Sequence, residues 1–490
     1  MYQKPFRKTV RGLILFSFSA ISGSFSAKAQ LTISGQLRDR AEWRDGYGTL
    51  PSKTATPSAF ISQRTRLIFH YTIPQLIFHV SVQDVRDWGQ DASTISVADG
   101  ARLSVHEAWA ELRLWHKADS SLHYLGLKVG RQELVYDDQR LLGNLDWLPQ
   151  ARRHDALVLK LRQNTWQIDL GAAFNQNSDA VNYNGTYYTP ANVLPYIKDS
   201  KGNLTATPAG FIPLVNAAGY SSPTGSPAVQ ATASTNGQNE NYKSLQFVHI
   251  AKNIGQAKLS LLAVGDQFSR YANDSVRNIV GTDTGYVYGK QFNKEGVYGR
   301  FTMGAFLVVG RELQVTAGAY YQTGKDENGL TLSAYTTTAQ VTYAPSRLSY
   351  TLGWDVLSGN STSTATDHRF DPLYGTPHKF WGYMDYFYAG SGSPTGGLSD
   401  AYAKLKYSAK AFNMGLDYHY FSLASGGKDL GSEFDLITSY NVNRFTNLEV
   451  GLCTMAATSN MVYAKNLTPG TAHMNGYWAY VQLNIQPTFL

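Results

Sequence analysis

The sequence predicts an all-β protein, a single antiparallel barrel of about 18 strands that crosses a lipid bilayer. Three observations favour this fold: the composition, an alternation of apolar and polar residues, and an alternation of short and long connections. The chain has 490 residues, of which 44 are Gly and 32 are Tyr, and aromatic residues make up 13%. Such a composition is typical of strands and turns. After the first thirty residues no 18 consecutive residues are apolar, so no membrane-spanning helix is expected.

The first thirty residues have the pattern of a secretory signal. Four basic residues precede the short apolar run GLILFSFSAISG, and an A-x-A site follows at residues 27–29. The apolar run is too short to span a bilayer. We therefore expect residues 1–29 to be a signal peptide that is cleaved near Ala29, and residues 30–490 to form the barrel. A Gram-negative outer membrane is the expected location.

The charge balance argues against a nucleic-acid partner. The chain has 43 Lys and Arg residues against 36 Asp and Glu residues, and five of the basic residues lie in the expected signal. Without that segment 38 basic residues face 36 acidic ones, so the basic isoelectric point is largely due to the signal. The single cysteine, Cys453, excludes an intramolecular disulfide and a multi-cysteine metal site.

A period of two residues divides the chain into segments long enough to cross the apolar band of an outer membrane. The predicted strands are 31–43, 60–72, 76–86, 103–114, 122–132, 152–162, 166–176, 242–252, 257–268, 295–307, 311–323, 332–343, 347–358, 398–407, 411–421, 431–441, 445–455 and 476–487.

Short and long connections alternate between these strands. Turns such as TIPQ, QNT and NVNR contrast with long segments rich in Gly, Ser, Asn and Pro, the longest of them near 177–241. Barrels of the outer membrane have short periplasmic turns and long external loops. An even number of strands also places both chain ends on the periplasmic side.

The first strand shows which face meets which solvent. In LTISGQLRDRAEWR (31–44), Leu31, Ile33 and Leu37 alternate with polar residues that include Arg38 and Arg40. Successive strand side chains point to opposite faces. Because charges are costly on the lipid face, the arginines are expected to face a lumen, which at eighteen strands should be wide enough to hold water.

The same parity gives an inventory of charges in the lumen. The basic candidates are Arg38, Arg40, Arg64, Arg66, Lys128, Lys160 and Arg300. The acidic partners are Glu107, Glu111, Asp355, Asp417, Glu433 and Asp435. Strands 1 and 2 are basic and strands 15 to 17 are acidic, so the two groups are expected to meet at the barrel seam. Two interpretations stay open: an ion-pair lattice that stiffens the wall, and a basic strip that guides an anionic solute.

The segment LKVGRQELVYDDQRLLGNLDWLPQARRHDALVL (127–159) resembles the alginate export family of outer-membrane barrels. The resemblance lies in a G-R-Q motif at 130–132, a D-x-R-L-x-G loop at 138–143, a D-W pair at 146–147 and an R-x-x-D motif at 152–155. VQDVRDWG and HEAWAEL upstream are similar to the family, and so are softer matches such as YQTGK, GWDVLSGN, FDPLYGTPHKFWGYMDYF and GSEFDL downstream.

This resemblance implies an eighteen-stranded barrel with an electropositive pore through which an anionic polysaccharide diffuses outward. It adds Arg131 and Arg140 to the candidate anion contacts, with Asp137, Asp138 and Asp155 as acidic partners in the lumen. Alternatively, residues 130–155 form a loop that folds into the mouth and is held there by Arg–Asp pairs.

Other function classes receive less support from the residues. No nucleophile, base and orienting group are placed together by parity, so an outer-membrane hydrolase is the weaker alternative and no enzyme is expected. A general or solute-specific porin for the uptake of small molecules is the stronger one. No metal and no cofactor are expected. The expected partners are an anionic polysaccharide or small anionic solute, membrane lipid and periplasmic export proteins, with the barrel as a monomer.

Overall fold

The computed structural model describes residues 30–89, 103–116, 123–176, 188–190, 192–231, 242–292, 296–361, 365–389 and 392–490. The expected signal peptide, residues 1–29, lies outside the described residues. No helix in the described part of the chain is long and apolar enough to cross a membrane. The α-helix Ser459–Ala464 is short and belongs to a loop.

Eighteen antiparallel strands form one closed sheet, which confirms the predicted fold. They are β1 (Gln30–Asp45), β2 (Ser58–Ile73), β3 (Leu76–Asp87), β4 (Ser104–His116), β5 (His123–Gln132), β6 (His154–Gln163), β7 (Trp166–Phe174), β8 (Ser244–Ile254), β9 (Ala257–Ser269), β10 (Val297–Gly310), β11 (Leu313–Lys325), β12 (Thr331–Tyr343), β13 (Leu348–Leu357), β14 (Leu398–Ser408), β15 (Phe412–Ser422), β16 (Asp429–Asn441), β17 (Thr446–Ala457) and β18 (Asn475–Ile485).

The first and last strands close the barrel. β1 pairs with β18 from Leu37 opposite Ile485 to Asp45 opposite Tyr477. The chain end extends this seam, because the Ile33 amide donates to the carbonyl of Leu490 at 2.9 Å. Closure leaves no unpaired sheet edge, which is the condition for a sheet to span lipid.

The alternation seen in the sequence becomes the two faces of the wall. On β1, Arg38 and Arg40 are buried inside, whereas Leu31 and Trp43 remain 42% exposed on the outside. Exposed apolar side chains occur in the same way around the barrel, such as Leu352 on β13. In a bilayer, lipid would cover this outer apolar surface.

Two external loops build a second, four-stranded sheet that is separate from the barrel sheet. The hairpin formed by Ala272–Val280 and Asp283–Gln291 pairs with Phe211–Val215, which in turn pairs with Ser226–Pro227. The expected long loop near 177–241 is therefore partly structured in its described residues 188–190 and 192–231.

Two other loops fold into the lumen. Loop A, residues 133–153, connects β5 to β6, and loop B, residues 358–397, connects β13 to β14. Loop B supplies much of the buried apolar cluster inside the barrel, including Trp381, Tyr386 and Phe387, each no more than 2% exposed. The lumen is therefore occupied in part by the protein's own loops. Inward folding of loop A was one of the alternatives that the sequence left open, whereas loop B was not expected in the lumen.

Candidate solute pathway

Loops A and B are hydrogen-bonded to each other. The Tyr374 amide donates to the Leu141 carbonyl at 2.9 Å, and the Gly143 amide donates to the Tyr374 carbonyl at 2.9 Å. This makes a short parallel bridge between Leu142 and Tyr374. The buried guanidinium of Arg152 also donates to the carbonyl of Gly375. The two loops thus form one connected body within the lumen.

Four arginines on β1 and β2 contact loop A of this body, and we call them the arginine cluster: Arg38, Arg40, Arg64 and Arg66. Three of them converge on the carboxylate of Asp146 in loop A. The nearest N–O distances are 2.8 Å for Arg64, 3.3 Å for Arg66 and 3.4 Å for Arg38. Arg38 and Arg64 lie directly opposite each other on neighbouring strands. Like charges in that position repel, so the shared carboxylate stabilises the arrangement.

The fourth arginine is neutralised from its own strand. Arg40 donates to Glu42 at 2.8 Å and to the Trp147 carbonyl at 3.0 Å, and its guanidinium lies 3.9 Å above the Trp147 ring. Arg44 shares Glu42 at 2.7 Å. The groups in direct contact here are five guanidinium groups and only two carboxylates, so this contact group carries a net positive charge.

Burial and the neighbouring arginines shift the pKa of the Asp146 carboxyl in opposite directions. Burial raises the pKa of its carboxyl, but the hydrogen bond and charge of Arg64, together with the charges of Arg38 and Arg66, hold the pKa below its usual value. Charged neighbours of opposite sign favour the ionised form. Asp146 is therefore ionised, and its negative charge lies between loop A and the wall formed by β1 and β2.

Arg140 anchors loop A to the opposite wall. Its guanidinium contacts Asp355 of β13 at 2.6 Å and Asp138 of its own loop at 3.2 Å. Asp137 accepts from Ser260 at 2.7 Å and lies 3.1 Å from His249. These contacts match the alternative in which Arg–Asp pairs hold this loop in the mouth. The single guanidinium of Arg140 is paired with two carboxylates, so it serves as an anchor of loop A.

Arg300 of β10 anchors loop B to the barrel wall. It contacts Asp266 of β9 at 2.6 Å and also Asp371 of the loop. The Tyr374 hydroxyl donates to Asp266 at 2.8 Å, and the Asp371 amide donates to Gln322 at 3.1 Å. A cavity of about 290 Å³ opens beside Arg300 and Asp371.

The remaining predicted bases lie on the inner wall of β5 and β6. Lys160 contacts Glu111 at 2.8 Å. Lys128 lies 3.9 Å above the Trp109 ring, and Glu107 accepts from Trp109 at 3.0 Å. These residues face the lumen as parity predicted.

The predicted acids of β15 and β16 face the lumen but hold different partners from those expected. Asp417 pairs with Lys404 at 2.8 Å. Glu433 accepts the backbone amide of Met384 in loop B at 2.7 Å, and Asp435 lies 3.5 Å from that of Tyr383. Glu433 and Asp435 of β16 therefore contact loop B. Among the described residues, neither they nor Asp417 pair with the arginines across the seam. β18, the strand that pairs with β1 at the seam, carries neutral residues at its inner positions: Tyr480, Gln482 and Asn484.

Arg131 and Asp155 were placed wrongly. They form an ion pair at 2.8 Å with each other, and side-chain exposures are 38% and 51%. They lie opposite each other on β5 and β6, in the same parity as the exposed Val129 and Leu157. Both side chains therefore point to the outside of the barrel. Their motif resemblance carried the expectation, whereas the strand parity set by Lys128 would have placed Arg131 outside.

Several important residues were not predicted as site residues. Asp146 and Trp147 belong to the D-W motif but were not predicted as lumen contacts, and neither were Glu42 and Asp371. Aperiodic loops do not reveal which wall residue a side chain will reach. One signal was available: segment 370–388 is dense in aromatic residues, which is unusual for a loop exposed to water.

Comparisons with known proteins agree with this architecture. The sequence profile of the alginate export family matches residues 29–189 of the chain. This range includes the motif segment 127–159 and loop A. The similarity to that family is therefore confirmed over this part of the chain, while the softer motifs downstream lie outside the match. No curated protein matches the chain at the sequence level.

Solved structures share the fold at low identity. OpdQ of Pseudomonas aeruginosa has a TM-score of 0.51 and 12% identity, with 94% of this chain and 98% of that chain covered. OpdK of the same organism gives 0.51 and 10%, covering 94% and 99%. OccAB4 of Acinetobacter baumannii gives 0.51 and 12%, covering 94% and 98%. OpdK is described as an outer membrane protein.

The closed sheet, the apolar outer surface and the charged lumen define an outer-membrane β-barrel channel. Within that class, the chain is similar to the alginate export family over residues 29–189.

Proposed function

We propose that this channel conducts anionic solutes that carry carboxylates, by passive diffusion past the arginine cluster. The observation that carries the proposal is the convergence of Arg38, Arg64 and Arg66 on the single carboxylate of Asp146. A planar guanidinium binds a carboxylate through two parallel hydrogen bonds, and Arg64 does so with Asp146 at 2.8 and 3.2 Å. A solute carboxylate would present the same group to the same donors.

The excess of guanidinium over carboxylate supports an anion preference. Clefts lined by one sign of charge concentrate ions of the opposite sign. Asp146 of loop A does not cancel this excess, since five guanidinium groups still face only two carboxylates. Both interpretations of the lumen charges therefore apply to the arginine cluster. The ion pairs hold the arginines in position, and the excess of guanidinium groups attracts the anionic solute.

Two solute classes are consistent with this chemistry. The similarity to the alginate export family favours outward passage of an anionic polysaccharide such as alginate. The presence of loops A and B inside the lumen favours a smaller anionic solute, taken up as in a solute-specific porin. We infer no catalysis and assign no cofactor to this function.

The test is ion selectivity and block of single channels in a planar bilayer. We expect large conductance steps, a preference for chloride over potassium, and block by oligouronates. The triple variant Arg38→Gln, Arg64→Gln, Arg66→Gln should lose most of the anion preference and the block. Arg131→Gln is the matched control, because that arginine lies on the outer face and should leave both unchanged.

Unchanged selectivity in the folded triple variant would refute the proposed anion pathway. Folding of each variant is checked by the heat-dependent mobility of barrels in gel electrophoresis. Block by oligouronates but not by monocarboxylates would favour the polysaccharide, and the reverse would favour a small solute.

Maturation and assembly are proposals of the same kind. We infer that the expected signal is removed near Ala29 and that residues 30–490 function as a monomeric barrel in the outer membrane. Periplasmic export proteins are the partners that a polysaccharide cargo would require. The mass of the mature protein checks the cleavage site.

A further inference from the structure

A second group of side chains lies on the inner wall of β3 to β5, and the anion pathway does not use it. We call it the His–Glu cluster, which consists of His79, His106, Glu107 and Glu133. One donor atom from each of His106, Glu107 and Glu133 lies within 4.8 Å of the others. His106 contacts Glu133 at 3.0 Å, and His79 lies 3.3 Å from Glu107.

A bulge in β4 creates this arrangement. Ser81 pairs with Glu107 while its neighbour Val82 pairs with Val105, so His106 is the extra residue. Adjacent residues of a regular strand would point to opposite faces. Because the bulge interrupts that alternation, His106 and Glu107 both turn inward, and His106 is only 1% exposed. Bulges commonly re-aim a side chain near functional sites.

In Glu107 and in Glu133, hydrogen bonds to one carboxylate oxygen fix the orientation of the group. Glu107 Oε1 accepts from the Trp109 ring at 3.0 Å and from the Glu133 amide at 3.2 Å. Glu133 Oε2 accepts from the Asn144 side chain at 3.0 Å. The other oxygens, Glu107 Oε2 and Glu133 Oε1, are the ones nearest the two histidines. Supporting hydrogen bonds of this kind orient the ligands in metal sites.

One imidazole nitrogen of the cluster is left without a hydrogen bond. Among the described residues, His106 Nδ1 is a buried atom with no hydrogen-bond partner. A buried polar atom without a partner is rare, and a bound water or ion is one explanation for it. His79 Nε2 lies 3.3 Å from Glu107 Oε2, the carboxylate oxygen that the Trp109 hydrogen bond leaves open.

We propose that the His–Glu cluster binds one divalent transition-metal ion of the zinc type. Imidazole and carboxylate are ligands that Zn²⁺ and its neighbours in the first transition row accept, and two carboxylates neutralise the charge of the ion. Glu133 is the first residue of loop A, so the ion would tie that loop to the wall at β4. This departs from the expectation of no metal, because regular strand parity separates His106 from Glu107.

Two nearby cationic side chains would weaken the binding of a metal ion by electrostatic repulsion. Lys128 acts electrostatically on Glu107, and Arg66 acts on His106. Removing Lys128 should therefore strengthen metal binding without altering any ligand. A ligand variant and a neighbour variant thus have opposite expected effects, which a merely structural cluster would not produce.

The experiment is calorimetric titration of the tag-free, detergent-solubilised barrel with Zn²⁺, together with Co²⁺ absorption spectra. We expect one Zn²⁺ per chain and a Co²⁺ spectrum typical of nitrogen and oxygen ligands. His106→Gln and Glu107→Gln should each weaken Zn²⁺ binding about tenfold or more, whereas Lys128→Gln should strengthen it. His473→Gln, in an exposed external loop, is the matched control and should bind as the unchanged protein does.

Asn144→Ala provides a milder variant in case a ligand variant fails to fold. It removes only the hydrogen bond to Glu133 and should weaken binding, by less than the ligand variants do. Absence of Zn²⁺ binding by the unchanged barrel would overturn the proposal. Equal binding by the unchanged protein and His106→Gln would overturn it as well, as would equal loss in His473→Gln.

Discussion

At the scale of single residues, Asp146 is the group on which the lumen electrostatics depend. Its carboxylate occupies the place between Arg38, Arg64 and Arg66 that a solute carboxylate would take. It is also 42% exposed, whereas Arg64 is 1% exposed. An anion that arrives from the lumen can therefore reach Asp146 more readily than the arginines behind it, and it must compete with Asp146 for them.

Replacing Asp146 with Asn should strengthen the anion preference of the channel. The variant removes one negative charge from a site that already has an excess of guanidinium groups, and it removes the internal competitor. Reversal potentials in a salt gradient should shift further toward the chloride potential, and oligouronate block should tighten. Asp155→Asn, which changes a carboxylate on the outer face, should leave the reversal potential unaltered. A shift toward cation preference in Asp146→Asn would contradict this.

Strand parity predicted the side of the wall for most charged residues, and motif resemblance did not. Arg64, Lys160 and Glu433 all face the lumen, as the alternation required. Arg131 and Asp155 were added because of their motif and point outward. The ion-pair partners in the loops were beyond prediction, because a loop has no period that fixes the direction of its side chains.

At the scale of elements, the junction of β4 and β5 depends on a glycine. Gly130 has φ of +122°, a conformation that other residues rarely adopt. A Cβ atom at this position would lie 2.3 Å from the carbonyl oxygen of Ala108 and 2.9 Å from the Cα of Trp109. The close approach of these two strands therefore requires glycine at this position. Its partner on β4 is Trp109, which follows the bulged Glu107 by two residues.

Gly130→Ala should destabilise the barrel by about 1–3 kcal/mol, the usual cost of a strained backbone conformation, and the clash adds to it. The temperature at which the folded band disappears in gel electrophoresis should fall. Gly265→Ala is the control, because a Cβ there meets atoms only at 3.8 Å and beyond. A transition unchanged from that of the parent protein would show that β4 and β5 can separate without cost.

The connections show the limit of the sequence at this scale. The long segments were predicted as external loops, with inward folding of residues 130–155 as an alternative, and both loop A and loop B turn into the lumen. In loop B, Trp381 and Met384 are buried and the acid Asp371 pairs with Arg300. An aromatic segment can be assigned to the interior from composition, but its wall contacts depend on the closed barrel, which only the tertiary structure supplies.

At the scale of the whole molecule, the strand count and the closure were predicted from the sequence. Every predicted strand corresponds to an observed barrel strand, with ends that differ by a few residues. The period-two signal is strong because one face of each strand meets lipid and the other a polar lumen. The occupation of the lumen by loop B was not predicted, since it depends on contacts between residues far apart in the chain.

Shortening loop B should widen the conducting path. Replacing residues 368–392 with a short Gly-Ser linker removes the side chains that lie across the lumen, while β13 and β14 stay paired. Single-channel conductance should rise several-fold, and the selectivity should weaken as the arginines become separated by more water. Shortening the external hairpin 272–291 is the control and should leave conductance unchanged. An unaltered conductance in the loop B variant would mean that the ions take a route that avoids this loop.

The pairing of loops A and B also bears on how the barrel assembles. The Leu145 amide and the Thr376 side chain that it contacts are 231 residues apart in sequence. Such distant contacts form late, after the neighbouring hairpins have zipped together. A newly inserted barrel is therefore expected to pass through a stage in which the wall is closed but its interior is empty. During that interval the cell would carry an unselective hole, so rapid docking of the two loops protects the permeability barrier of the membrane.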